Sequence, residues 1–368
     1  MNKKLLNIVL IVVAIAIIAL AITPALFNKH KTAGDKPVVK IGLVYPLSGN
    51  SAMFGSTATI TTKQFFKEFN KQPRKYTYEV LFEDGQFKSA TSVLQARRLM
   101  DMEKVDVLVV FGTSFALPIA PIVEDKNVIL FSYGSDPTAM IKYKNAMAIT
   151  GDPDQKGPIM LDLLRKKNIK TIDIVVANME APQNWLDALQ KTLQGQSDVS
   201  IKNIYTLNPD EREFKMLLAK IKQDKPDAVV SILQPLSNIF LRQYKMANVS
   251  IPLIGVDLYT FLDEKSLAEG AWQVSSPEGD TAFRQRLLAE IGSDTTYFSE
   301  YLDTILQLIT HGFETAGTTD KEQIMQHIIQ EAGNLDTALG RLTATPEGLF
   351  KAPFVIRKIE GGKLVPVE

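Results

Sequence analysis

The 368-residue chain contains no cysteine. It therefore offers no disulfide bond, no thiol nucleophile, no cysteine-ligated metal site and no cysteine for lipid attachment. This absence permits export to an oxidising compartment, because no wrong disulfide can form there. Only three histidines are present, His30, His311 and His327, and no HExxH, GxSxG or phosphate-binding-loop motif accompanies them. The sequence therefore predicts no enzyme activity, no metal and no cofactor.

An excess of one charge is also lacking, since 41 lysine and arginine residues stand against 41 aspartate and glutamate residues. Four of the basic residues lie in the first 31 residues, so the rest of the chain carries 37 basic and 41 acidic residues. A nucleic-acid-binding protein needs a basic patch or stripe, and this balance supplies none. We therefore expect no nucleic-acid partner.

The amino terminus holds the longest hydrophobic run of the chain. Lys3 and Lys4 precede residues 5–22, where Asn7 is the one polar residue. The run is longer than most signal-peptide cores and just long enough to span a bilayer. We interpret residues 1–27 as a cleaved signal peptide or an uncleaved membrane anchor, followed by a polar linker at 28–37. Both interpretations place the rest of the chain, from residue 38 onward, in the periplasm or on the outer face of the cytoplasmic membrane. The mass of the exported protein distinguishes the two interpretations.

Short apolar runs alternate with amphipathic helical stretches from residue 38 onward. This alternation predicts parallel sheets with right-handed crossovers, and its repetition after residue 150 favours two similar lobes. The runs at 105–111 and 128–132 are apolar on both faces, as is typical of buried parallel strands. The predicted strands are 38–45, 76–82, 105–111, 128–132, 171–176, 201–205, 228–233, 252–256, 338–343 and 354–359.

Turns rich in glycine and hydroxyl groups follow three of the first strands, at 45–49, 111–114 and 132–137. Ligands of open α/β sheets bind beyond the carboxyl ends of the strands. Free backbone N–H groups at such turns suit a carboxylate, although ordinary helix capping explains any one turn equally well. Three turns at adjacent strand ends therefore favour a ligand site.

The second half adds an acid and an aromatic residue at its strand ends. Asp257 directly follows the strand predicted at 252–256, where it would pair with an ammonium group or cap the next turn. Trp185 and Gln234 also lie just past strands. The indole would cover the apolar side of a ligand or pack on the sheet. These residues extend the expected site across both halves.

The order and spacing of these motifs resemble the Leu/Ile/Val-type periplasmic binding proteins. The resemblance runs from residue 38 to the end, and its motifs include residues 39–49, Phe54-Gly55, 111–114, 135–137 and 340–343. It implies an α/β fold of type I, with two doubly wound lobes joined by three crossovers. The two lobes are expected to close on a ligand. It also implies delivery of the ligand to an ABC permease of the inner membrane.

The resemblance also implies roles for single residues. Thr113 and Ser114 match positions that hold the ligand carboxylate, and Asp257 matches an acidic ammonium anchor. Ser135 or Asp136 matches a threonine close to both groups, while residues 133–136, residues 181–185 and Gln234 depart from the family pattern. The predicted ligand-binding set is Phe54, Phe111, Thr113, Ser114, Ser135, Asp136, Trp185, Gln234 and Asp257.

Three functional hypotheses follow from these residues. The first is a solute-binding protein that captures an amino acid or a related amide for an ABC importer. The second is a membrane-tethered sensor or interaction module with the same fold, and the third is a hydrolase on this scaffold. We expect a first lobe of residues 38–149 plus about 276–335, and a second of residues 150–275 plus about 336–368.

Overall fold

The computed structural model describes residues 36–134, 137–279, 281–292 and 295–367. The predicted signal peptide or anchor at 1–27 lies outside these residues. Within them, no helix has both the length and the apolar character needed to cross a membrane.

One seven-stranded sheet takes five strands from residues 38–151 and two from residues 343–352, with the strand order β11-β12-β5-β4-β3-β1-β2. β1 pairs with β3, β3 with β4, β4 with β5 and β5 with β12 in parallel, whereas β11 runs antiparallel to β12. The strands are β1 (Val38–Tyr45), β2 (Thr77–Asp84), β3 (Val107–Phe111), β4 (Ile129–Tyr133), β5 (Ala146–Gly151), β11 (Thr343–Ala344) and β12 (Leu349–Ala352).

A second seven-stranded sheet repeats this plan, with the order β14-β13-β10-β9-β8-β6-β7. Its strands β6 to β10 pair in parallel, and β13 adds antiparallel to β10. The strands are β6 (Thr171–Ala177), β7 (Ser200–Leu207), β8 (Ala228–Ile232), β9 (Leu253–Val256), β10 (Trp272–Ser275), β13 (Val355–Glu360) and β14 (Lys363–Pro366).

Helices cover the faces of both sheets and bury their apolar stripes against them. Most of the helix α10 (Ser299–Thr315) is buried, with Tyr301, Ile305 and Ile309 in the core of the first lobe. The helices are α1 (Ala52–Phe69), α2 (Ser89–Arg98), α3 (Thr113–Ala116), α4 (Ala120–Lys126), α5 (Pro153–Lys166), α6 (Glu180–Leu193), α7 (Lys215–Asp224), α8 (Ser237–Met246), α9 (Thr281–Ile291), α10 (Ser299–Thr315) and α11 (Lys321–Glu331).

The chain passes between the sheets three times. It leaves the first sheet after β5, returns from β10 through residues 276–279, and leaves again through residues 353–354 between β12 and β13. The predicted architecture of two doubly wound lobes joined by three crossovers is therefore confirmed.

Some predicted elements differ from the observed ones. The expected strand at 338–343 is wrong over most of its length, because the Thr337 hydroxyl donates to the Gly340 carbonyl and closes a tight turn there. Strands β5, β10, β12 and β14 were not predicted, since each is a short segment with few β-branched residues. β11 and β12 belong to the first sheet, whereas the sequence assigned residues 336–368 to the second lobe. The other lobe boundaries stay a prediction.

Helices α5 and α6 approach each other unusually closely at Gly157. A Cβ atom built on this glycine would lie 1.9 Å from Thr192 Oγ1 and 2.6 Å from the Ala188 carbonyl oxygen. Only glycine therefore fits at this crossing. The contact fixes the register of two helices that carry residues of the site described below.

We predict that Gly157→Ala lowers the free energy of unfolding by about 1–3 kcal/mol, because the added methyl group forces the two helices apart. Urea denaturation of the purified protein measures this change. Gly333→Ala is the matched control, since its Cβ would meet only the Leu342 carbonyl oxygen at 3.5 Å. Equal effects of the two substitutions would contradict the prediction.

Candidate functional site

The carboxyl ends of strands from both sheets meet at a cavity of about 230 Å³. The first sheet contributes the ends of β3, β4 and β5, and the second contributes turns that follow β6, β8, β9 and β10. The lining residues are Phe87, Phe111, Gly112, Thr113, Ser114, Phe115, Tyr133, Gly134, Thr150, Gly151, Lys156, Ala181, Trp185, Gln234, Asp257, Ser276, Phe298, Tyr301 and Phe354.

Six of the nine predicted site residues line this cavity: Phe111, Thr113, Ser114, Trp185, Gln234 and Asp257. Phe54 does not line it but packs behind the wall, with its ring centroid 5.0 Å from that of Phe111 and 6.3 Å from that of Phe298. Ser135 and Asp136 lie outside the described residues.

The turn after β3 brings backbone N–H groups to the first-lobe wall. Gly112 has a φ of 81°, which favours glycine, and it precedes the short helix α3. A Cβ atom on Gly134 would lie 2.5 Å from Thr113 Oγ1, so the neighbouring turn packs tightly against this one. The first N–H groups of a helix have no intrahelical acceptor. The turn is therefore suited to an anionic or carbonyl group.

Ser114 makes a hydrogen bond to the second lobe. Its hydroxyl donates to the carboxylate of Glu180 at 2.7 Å, and both side chains are exposed at the rim. Glu180 begins α6 in the second lobe, so this hydrogen bond joins the two lobes across the cavity. The negative charge of Glu180 also lies beside the turn that was expected to receive a carboxylate.

Asp257 follows β9 and supplies an acid to the second-lobe wall. Its backbone has a φ of 48°, and its N–H donates to the Val274 carbonyl at 3.0 Å. Burial, with a smaller contribution from Glu278, raises the pKa of Asp257 to about 7, although Lys156 opposes the shift. A carboxyl group poised in this way becomes fully charged when a cation approaches it.

The cavity wall is largely aromatic. The rings of Tyr133 and Tyr301 stack at 5.0 Å, and the Trp185 and Phe354 rings meet edge to face at 4.8 Å. The ring of Phe298 in the first lobe lies 6.1 Å from that of Phe261 in the second. These surfaces are suited to the apolar body of a ligand.

Positive φ angles concentrate around the cavity. Eleven described non-glycine residues have positive φ, and five of them follow the ends of helices, where this conformation is common. Four of the others line the cavity, and the remaining two directly precede lining residues. This clustering of strained backbone is typical of functional sites. The six residues are Gln86, Phe87, Gln234, Asp257, Tyr297 and Phe298.

A buried polar network lies beneath the cavity at the crossovers. The Ser276 and Tyr301 hydroxyls are 2.6 Å apart, and the carboxylate of Glu278 lies 2.7 Å from Arg284 and 3.2 Å from Arg357. Burial, with a contribution from Glu278, raises the pKa of Glu300 to about 8. The crossover at residues 276–279 therefore contributes an ion-pair network through Glu278, and the Glu300 carboxyl group favours its neutral form at neutral pH.

The cavity residues that sequence reasoning missed include Lys156, Phe298 and Phe354. Lys156 is the fourth residue of α5, where a cation is disfavoured by the helix dipole, and this unfavourable position was the available signal. Phe298 reaches the cavity through two successive positive φ angles, and the sequence carries no sign of that geometry.

Comparison with known proteins agrees with this architecture. Residues 38–363 match the family model described as periplasmic binding protein. The Leu/Ile/Val-binding protein BraC3 of Rhizobium johnstonii is 21% identical over 350 residues, which cover 90% of this chain and 94% of that protein.

Two solved structures share the fold at low sequence identity. The branched-chain amino acid substrate-binding protein LivJ of Streptococcus pneumoniae, in complex with isoleucine, has a TM-score of 0.77 at 15% identity and covers 89% of this chain and 97% of its own. A solute-binding protein of Rhodopseudomonas palustris, in complex with 3,4-dihydroxybenzoic acid, has a TM-score of 0.76 at 18% identity, covering 90% and 96%.

We predict that Asp257→Asn changes the pH dependence of stability. Between about pH 4 and pH 7 the folded protein keeps a proton on Asp257 that the unfolded chain has lost, so this residue makes stability fall as the pH rises. The variant loses this dependence, and its stability relative to the wild type is therefore higher at about pH 8 than at about pH 5. Urea denaturation at both pH values measures the difference, with the exposed Asp187→Asn as control. A pH-independent difference would contradict the prediction.

Proposed function

Because this chain belongs to the periplasmic binding protein family, we propose that it captures a small solute bearing a carboxylate, first of all an amino acid, and delivers it to an ABC permease of the inner membrane. Membership implies an extracytoplasmic location and a small-molecule ligand. The observation that carries the proposal is the cavity whose wall is built by strand ends of both lobes, with backbone donors, a half-buried acid and aromatic rings.

The chemistry of the wall supports a ligand with a charged end and an apolar body. Asp257 is suited to an ammonium group, and the N–H groups of the Thr113 turn or a basic side chain are suited to a carboxylate. The aromatic rings are suited to a branched or aromatic side chain. A cavity of about 230 Å³ admits only a small ligand.

An aromatic carboxylic acid without an amine is a second ligand class. The raised pKa of Asp257 favours it, because a protonated carboxyl group donates to a neutral ligand oxygen and needs no cation. The relative from Rhodopseudomonas palustris binds an acid of this kind. The two classes differ in one group, the amine, and Asp257 is the residue that would distinguish them.

We infer that the first lobe comprises residues 38–149 plus about 276–335 and the strands β11 and β12, and that the second lobe comprises residues 150–275 plus the strands β13 and β14. Closure would bend the three crossovers and bring Ser114 to Glu180. Residues 1–27 would export the chain, either as a cleaved signal peptide or as a membrane anchor. In both cases the body works outside the cytoplasm.

We predict that titration calorimetry of the purified full chain detects binding of leucine, phenylalanine, benzoate or 3,4-dihydroxybenzoate. If an amino acid binds, Asp257→Asn weakens it about 10- to 100-fold, because a buried charged hydrogen bond is lost. If a benzoate binds, the same variant keeps most of its affinity, because no ammonium group is involved.

Asp187→Asn serves as the control and leaves both affinities unchanged, since Asp187 is exposed on α6 and does not line the cavity. Absence of heat and of any rise in melting temperature with all four compounds would contradict the proposed function.

A further inference from the structure

We propose that Gln234 is a specificity-determining residue, so that the ligand carries a neutral hydrogen-bonding group, a carboxamide or a hydroxyl, in addition to its charged end. This inference rests on the proposed function and names the class of ligand more closely. It is carried by the backbone of Gln234, by the amide of its side chain, and by a second unpartnered polar group in the same cavity wall.

The backbone at Gln234 is strained. Its φ is 47°, in the left-handed region that residues with a Cβ atom rarely adopt. The next residue is Pro235, and a proline pushes the residue before it towards extended conformations. Two separate steric preferences therefore oppose the observed angle. Strain of this kind persists only where the surrounding structure imposes it, and it concentrates at ligand sites.

The buried neighbours of Gln234 hold this strained turn in place. Leu233 and Leu236, on either side of it, are buried in an apolar core cluster of the second lobe. The Leu236 N–H also donates to the Leu233 carbonyl at 3.1 Å. Gln234 itself lies just past the end of β8 and lines the cavity. The core therefore fixes the turn so that its one long polar residue is at the ligand site.

The amide of Gln234 makes no hydrogen bond within the described part of the chain, and the side chain is half-buried. A primary amide offers two donors and an acceptor, so it can pair with a ligand carboxamide or a hydroxyl. An ionised carboxylate accepts without donating and would leave the Gln234 Oε1 unpaired. An alkyl group would leave both amide atoms without partners once water is excluded. A neutral polar group is therefore the best match.

Thr150 supplies the second unpartnered polar group, from the first lobe. It lies near the end of β5, lines the cavity and is 1% exposed. Its Oγ1 is buried and makes no hydrogen bond within the described residues. Leaving a buried hydroxyl unpaired costs stability, and proteins seldom do so without a reason. A polar group of the ligand would supply the missing partner.

The charged ends of the ligand have other places in the wall. Asp257 is suited to an ammonium group, and the N–H groups of the Thr113 turn are suited to a carboxylate. Gln234 and Thr150 are uncharged and belong to opposite lobes, so closure brings both of them to the rest of the ligand. We therefore assign them to the neutral part of the solute.

Pairs of ligands with nearly the same shape and different polarity test this assignment. The pairs are threonine with valine, asparagine with leucine, and 4-hydroxybenzoate with 4-methylbenzoate. Calorimetry of the wild-type full chain should show that the polar member of at least one pair binds about 10- to 100-fold more tightly than the apolar member. The reason is that a site built to hydrogen-bond a ligand rejects an analogue that lacks the group.

Gln234→Met keeps the length of the side chain and removes both polar atoms. It should weaken binding of the polar member about 10- to 100-fold and change binding of the apolar member less than about threefold. Gln95→Met is the matched control. Gln95 is also half-buried and has no side-chain hydrogen bond within the described residues, yet it lies on α2 and does not line the cavity. We expect this variant to keep the preference of the wild type.

Thr150→Val removes one hydroxyl with little change of shape. It should weaken the polar member more than the apolar member, and it should not lower the melting temperature of the unliganded protein, because that hydroxyl has no hydrogen bond to lose. Thr304→Val is its control, since Thr304 on α10 is fully buried and its Oγ1 also makes no hydrogen bond within the described residues. We expect it to leave both affinities unchanged. Melting temperatures of all variants verify that each is folded.

The outcomes separate this inference from the proposed function. Equal weakening of both members of a pair by Gln234→Met, or no weakening of either, would overturn the inference while the proposed function stands. Tighter binding of the apolar members by the wild type, or binding of phenylalanine or benzoate with no binding of any polar member, would overturn it as well. If the wild type binds none of the six compounds, nor phenylalanine, benzoate or 3,4-dihydroxybenzoate, the proposed function fails and the assignment of Gln234 fails with it.

Discussion

The common direction of parallel strands is the constraint on which the rest of this structure depends. All strands of a parallel set end at one edge of the sheet, and each lobe places that edge towards the other. Turns distant in sequence, such as those at Thr113 and Asp257, therefore reach one cavity. The three crossovers keep the two edges opposed, so the site needs no long loop of its own.

Three of the five charged residues that are buried in the described part of the chain lie at the cavity wall or in the crossover network, namely Lys156, Glu278 and Glu300, whereas Asp173 and Asp303 lie elsewhere. Glu278 meets Arg284 and Arg357 beside the cavity, and Asp257 and Lys156 lie in its wall. Such groups contribute little net stability compared with apolar residues of the same size. Their place beside the cavity is suited to recognition of a polar ligand, while the uniform apolar layers around β3 and β8 maintain the fold.

The sequence predicted those features that arise from local pattern. The strand at Val107–Phe111 was evident because it is apolar on both faces. Thr113 was evident because it lies in the glycine turn that follows this strand. The strand β5 was not predicted, since its six residues include few with a high intrinsic β propensity. Nor could the pattern tell that Phe54 backs the wall while Phe298 lines it, because that depends on backbone angles and on packing between distant segments.

The hydrogen bond between Ser114 and Glu180 has a kinetic consequence. It spans the rim between lobes, so an open molecule lacks it and it cannot speed the first encounter with a solute. It acts only after closure, when it must break before the ligand escapes, and it therefore lengthens residence time. Because the pair is exposed, a docking protein that offered Glu180 another donor would shorten that time without touching the ligand. Retention and release are thus adjustable at the rim, independently of the residues that choose the solute.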